Sequence, residues 1–175
     1  MLKKLQNRRK GFTLIELLIV IAIIGIIAAL LIPNFLDALQ KGKQKRTMGD
    51  MKDMGTAMFS WVTDQVGAAA AGQQIQQLNW DDLFTTQEFT DLATILVPAY
   101  AAFIPDLDAW GNPYEYGASD SYNDTIPVGV RSTGADADFD TGEYTAGAFY
   151  STDFSQDIVW AGGFFVRWPS GSQVD

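Results

Sequence analysis

The 175-residue chain contains no cysteine and no histidine. Without cysteine there is no disulfide framework, no thiolate metal ligand and no thiol nucleophile. Without histidine, the Ser-His-Asp triad, His-ligated zinc and the commonest general base are all excluded. Ser151, Ser155 and Ser170 therefore have no imidazole to activate them, which disfavours an enzyme. Cations are scarce after Lys52. Only Arg131 and Arg167 remain, against eighteen of the 21 acidic residues. Such a surface repels phosphates and argues against nucleic acid as a partner. It suits a secreted or periplasmic location, or cation binding.

What the chain does have is apolar and lies early. Leu17 to Ile32 runs without one polar side chain, and Glu16 is the carboxylate near its start. As a helix, Phe12 to Ile32 measures about 31 Å, the thickness of a bilayer's hydrocarbon layer. Lys3, Lys4, Arg8, Arg9 and Lys10 precede it with no acid among them. The positive-inside rule keeps those cations cytoplasmic and puts the C-terminal part outside the cytoplasm. An ordinary secretory signal needs a small-residue cleavage site after its apolar core. Here Leu30-Leu31-Ile32-Pro33 follows the core, and the small residue, Gly11, stands before it. A cut at Gly11 would leave the apolar helix on the product.

Beyond Pro33 the pattern becomes amphipathic to about Gln65. Met48, Met51, Met54, Met58, Trp61 and Val62 recur at intervals that mark one helix face, which predicts a core packed on a sheet. Lys41, Lys43, Lys45 and Arg46 precede that stripe. They form either a solvated collar or a surface for acidic neighbours or lipid phosphates. Pro33 costs a regular helix about 3 kcal/mol, so Gly25 to Pro33 is the segment expected to bend or melt. Gly42, Gly49 and Gly55 loosen the helix by about 1 kcal/mol each.

Val66 to Pro105 reads as a helix-to-sheet connection. It holds a break at Gly67 to Gly72, a helix start at Asn79-Trp80-Asp81-Asp82, and a short helix over Thr90 to Val97 ended by Pro98. Gly111-Asn112-Pro113 predicts a turn, with Trp110 as a core anchor and Tyr114-Glu115-Tyr116 starting a strand. Thr125 to Ser132 reads as the next strand. Asp157 to Ala161, Gly162-Gly163 and Phe164 to Trp168 read as a closing hairpin. The expected fold class is α+β: a long N-terminal helix, part membrane span and part amphipathic, packed on a small antiparallel sheet of three or four strands. Between the strands lies an acidic loop, Gly134 to Glu143, with Asp153 and Asp157 following. It is either a solvated acidic run or a calcium site, since calcium takes oxygen ligands. It is not an EF-hand, because Thr141 and Gly147 occupy the positions of that motif's glycine and closing glutamate.

Lys10-Gly11-Phe12-Thr13-Leu14-Ile15-Glu16 resembles the processing site of the type IV pilin and pseudopilin superfamily. The resemblance implies that a prepilin peptidase cuts between Gly11 and Phe12 and methylates the Phe12 amine, and that Glu16 is the assembly carboxylate. Four residues from Glu16, the new ammonium lies within reach of it, either in the same subunit or from an incoming neighbour. Pro33 within the long helix fits the family's pattern, and the resemblance implies that the joint from Gly25 to Pro33 can lose helicity on assembly. Asp108-Ala109-Trp110-Gly111-Asn112-Pro113-Tyr114 resembles a signature of G-type major pseudopilins of type II secretion, with Ala109 in place of a proline. Ser132-Thr133-Gly134-Ala135-Asp136, with Asp157-Ile158 later, resembles their calcium loop. That implies Asp136 and Asp157 as ligands, with Ser132, Asp138, Asp140 and Asp153 as further candidates. The implied organisation is a leader over residues 1–11, a membrane or filament-core helix over 12–33, and a globular domain over 34–175. Implied partners are copies of the chain itself, the peptidase, an inner-membrane assembly platform with minor pilins or pseudopilins, and lipid before assembly. The expected function is a secretion pseudopilus subunit anchored in the inner membrane with its domain in the periplasm. The alternative is the major subunit of a type IV pilus.

Overall fold

In a computed structural model, residues 11–70, 89–118, 127–140 and 144–172 are described. The anticipated helix start at 79–82 and the basic leader up to residue 10 lie outside them. The helix α1 runs Leu14–Ala70 with Pro33 inside it, and α2 covers Phe89–Leu96. Five strands follow: β1 Glu115–Ala118, β2 Val128–Ser132, β3 Gly147–Phe149, β4 Ile158–Ala161 and β5 Phe164–Pro169. The chain divides into two units, Met1–Leu39 and Gln40–Asp175.

The second unit has the expected α+β composition, with a sheet ordered β1-β2-β4-β5-β3. Its four pairings differ in sense. The β1–β2, β2–β4 and β4–β5 pairs are antiparallel, while β3 runs parallel to β5 at the edge. The sheet is therefore five-stranded and mixed, wider than the antiparallel sheet of three or four strands expected. The extra strand, Gly147-Ala148-Phe149, is too short to show an alternating pattern, and its partner lies far along the chain. The β4–β5 hairpin turns on Gly162 and Gly163, at φ of 62° and 100°, the left-handed conformations that tight turns require. The short helix ends as anticipated, just before Pro98.

From Met48 to Val62 the methionine and tryptophan stripe of α1 is buried. It meets Val130 of β2, Ile158 and Trp160 of β4, Phe165 of β5, Tyr116 of β1, and Leu92 and Leu96 of α2 in one core. Gly55 is the point of closest approach. A Cβ built there falls 2.3 Å from the Trp160 indole, whereas one at Gly42 or Gly49 meets nothing within 4 Å. Of the three glycines in the amphipathic half, Gly55 alone makes room for the sheet.

A second anchor joins helix, loop and sheet through the buried carboxylate of Asp108. Its Oδ1 accepts the backbone N–H groups of Trp110 and Asn112, each at 2.9 Å, and its Oδ2 accepts the Ser132 hydroxyl at 2.7 Å. The turn it closes faces α1. Ala109 N–H donates to Thr47 Oγ1 at 3.2 Å, and the Trp110 indole N–H donates to Gln40 Oε1 at 2.7 Å. Where the resembled signature has proline, Ala109 thus supplies a donor that proline lacks. On the far side, Asn112 Nδ2 donates to the Gly134 carbonyl at 2.7 Å.

Three outcomes follow from these contacts, each measurable by unfolding the full chain in detergent. Gly55→Ala should destabilise by about 1–3 kcal/mol through overpacking against Trp160. Gly49→Ala, in open space, should instead stabilise by up to about 1 kcal/mol. Asp108→Ala strands two backbone donors and the Ser132 hydroxyl and should cost about 3 kcal/mol. Burial also pushes the Tyr116 phenol up from 10.0 to about 12. The unfolded chain therefore loses that proton first, so stability should hold below pH 10 and fall as pH rises through about 12. Tyr116→Phe should flatten that fall, as read from alkaline melting curves.

Candidate functional site

The residues singled out in the sequence lie in two places, one in each unit. At the start of α1, Thr13 and Glu16 cap each other. The Glu16 N–H approaches Thr13 Oγ1 at 3.3 Å, while Glu16 Oε2 accepts both Thr13 N–H at 2.9 Å and Thr13 Oγ1 at 2.7 Å. This reciprocal capping box satisfies donors that a helix start otherwise leaves open. Thr13 had no role in the sequence reading, although Thr-x-x-Glu ahead of an apolar run is the local signal for such a cap. Phe12 is exposed immediately before it, and Gly11 has open space around it.

Beyond the cap, every large apolar side chain from Leu14 to Leu39 is exposed. Among the described residues, α1 is the one helix long and apolar enough to cross a membrane. Gly25 and Pro33 lie within it, and the helix is continuous through both. At the residue after the proline, Asn34 Nδ2 donates to the Leu30 carbonyl at 3.2 Å. An apolar surface of this extent is incompatible with water and needs lipid or protein around it.

In the second unit, the described part of the acidic loop, residues 134–140, lies against the sheet face opposite α1. Register places Glu115 of β1 directly across from Arg131 of β2, with Val159 of β4 on the other side. Arg131 donates to Glu115 Oε2 through Nε and Nη2, at 2.8 and 2.6 Å, with both side chains largely buried. Its Nη1 donates to the Tyr144 hydroxyl at 2.8 Å, and its guanidinium carbon lies 3.9 Å from the Phe139 ring centre. The Tyr144 hydroxyl in turn donates to Asp157 Oδ2, which also accepts the Asp140 N–H at 3.0 Å. Burial, then hydrogen bonding to Asp157, pushes the Tyr144 phenol up. Burial likewise raises Asp157, against the lowering effect of Tyr144 and the Asp140 N–H. Burial pulls Arg131 down, but Glu115 and Tyr144 outweigh it and hold the guanidinium higher than usual.

The candidate calcium ligands are divided between the core and the surface. Asp157 is fully buried, and its second oxygen, Oδ1, has no hydrogen-bond partner. Asp136, Asp138, Asp140 and Asp153 are exposed. Asp136 Oδ1 accepts the Asp138 N–H and Asp153 Oδ1 the Ser155 N–H, each at 3.3 Å. The Ser132 hydroxyl donates to Asp108. Among the described residues no three acidic side chains form a group able to hold a metal ion. The sequence reading passed over Arg131 and Tyr144; its one signal was that Arg131 is among the only two cations after Lys52.

A groove of about 450 Å³ between α1 and the β4–β5 turn is lined by Thr56, Phe59, Ser60, Thr63, Trp160 and Asp64. Its carboxylate already accepts the Tyr100 hydroxyl at 3.0 Å.

Comparison with known proteins points the same way as the helix start. A family model described as the prokaryotic N-terminal methylation motif matches residues 6–32. The chain is 27% identical over 156 residues to the type II secretion system core protein G of Pseudomonas aeruginosa, covering 79% of this chain and 97% of that protein. It is 31% identical over 137 residues to the type IV major pilin protein PilA of Myxococcus xanthus, covering 73% of this chain and 60% of the pilin. The core protein G of Aeromonas hydrophila is 27% identical over 110 residues, 73% of its length. No solved structure matches. The methylation motif at its start, the exposed apolar helix behind it and relatives of both kinds together support the type IV pilin and pseudopilin superfamily as the family of this chain.

Proposed function

We propose that the chain is the polymerising subunit of a type II secretion pseudopilus and acts structurally rather than catalytically. The observation that carries this reading is the exposed apolar surface of α1 from Leu14 to Leu39. Lipid covers it before assembly, and the helices of other copies cover it afterwards. The exchange is feasible because a bundle of such helices is as apolar as the lipid it replaces. Processing between Gly11 and Phe12 by a prepilin peptidase releases the leader and leaves a methylated Phe12 amine beside Glu16. The subunit then waits in the inner membrane with its acidic domain in the periplasm. An assembly platform draws it into the filament, whose growth drives protein export across the outer membrane.

The extent of similarity favours secretion over a surface pilus, since the match runs along 97% of one core protein G and 60% of the pilin. The pilus reading is supported by its higher identity, 31% against 27%. A deletion strain separates the two. Loss of exoprotein export with surface fibres intact supports secretion, and the reverse supports a pilus. Glu16→Ala should leave processing intact, with Phe12 as the N-terminus by mass spectrometry, and should cut filament yield at least about tenfold, the effect of about 1.4 kcal/mol per added subunit. A normal yield of sheared filaments in that variant would remove Glu16 from assembly.

A further inference from the structure

The acidic loop is expected from family resemblance to close around calcium, yet its described donors do not fit that ion. Calcium takes about six to eight oxygens at once. Here Asp157 Oδ2 is occupied by the Tyr144 hydroxyl and the Asp140 N–H. The Gly134 carbonyl accepts from Asn112, and the Ser132 hydroxyl, which donates to Asp108, accepts the Gly134 N–H at 3.3 Å. Asp136 and Asp153 each bind an N–H of their own turn. What is left buried and unpartnered on a carboxylate at this face is the single oxygen Asp157 Oδ1.

The face does contain a cation. Arg131 stands where β2 meets β1 and β4, paired with Glu115 and stacked on Phe139, and it joins Asp157 through the Tyr144 hydroxyl. Phe139 lies in the loop and Tyr144 directly follows it, so one guanidinium holds both. Guanidinium suits the role. It is planar, weakly hydrated, donates in a fork and stacks on aromatic rings, so it loses less on burial than a compact ion does.

We propose that the Arg131 guanidinium is the cation that closes the acidic loop, so that the loop holds its structure without a divalent metal. The role is independent of whether the subunit builds a pseudopilus or a pilus. A cation carried by the chain needs no supply and cannot be chelated, so the domain's stability does not follow the surrounding calcium concentration as that of a calcium-held loop would.

The test uses the full chain in detergent, melted in calcium chloride and in EGTA, with hydrogen exchange of the Asp140 amide as a local readout. The wild type should melt at the same temperature in both solutions. Arg131→Gln should lower the melting temperature by about 5 °C or more in both, and Tyr144→Phe should speed Asp140 exchange without calcium restoring it. A wild-type melting temperature several degrees higher in calcium, or calcium-dependent protection of Asp140, would overturn the proposal. So would an Arg131→Gln protein that melts like wild type. Should that variant fail to fold, the wild-type comparison and Tyr144→Phe still decide. None of these measurements needs a filament, so their failure is distinct from failure of the secretion reading.

Discussion

The globular unit depends on one buried carboxylate. Asp108 orders its own turn by accepting two backbone donors, and it takes the hydroxyl of Ser132 at the end of β2. The turn so fixed presents Ala109 and Trp110 to Thr47 and Gln40 of α1, and Asn112 to the start of the acidic loop. Helix, sheet and loop are thereby joined by bonds that none of them could make alone. The apolar core beneath supplies the bulk of the burial, but it is not directional. Asp108 supplies direction, setting which residue of α1 faces which part of the sheet.

The two units answer opposite requirements. The first exposes every large apolar side chain and presents no polar surface between Glu16 and Pro33, so its stability comes from whatever surrounds it. The second buries its methionine stripe and turns carboxylates outward. A subunit moving from membrane to filament needs both: one part to exchange lipid for protein, the other to stay folded meanwhile. The acidic surface also keeps the domain soluble outside the membrane.

What the sequence disclosed and what it concealed follow from the range of each signal. The Met48 to Val62 stripe, the Gly162-Gly163 hairpin and the short helix before Pro98 are local patterns, and each is found where its pattern predicts. β3 is three residues long and pairs with a strand about twenty residues away, so nothing local announces it. Arg131 looks like any isolated cation until register sets it against Glu115 and the loop brings Phe139 and Tyr144 to it. Gly55 resembles Gly42 and Gly49 in sequence and differs only because Trp160 arrives above it. Thr13 is the exception, because its capping signal is local and was still missed.

The cap at the start of α1 has a further consequence. Glu16 is not a bare charge waiting for a partner, because Thr13 already gives it two hydrogen bonds. Thr13 holds only Oε2, so a group on a neighbouring copy can pair with Oε1 while the cap stays intact. The cap then fixes where the second oxygen points before any neighbour arrives, and a contact made there adds to the bonds already present instead of replacing them.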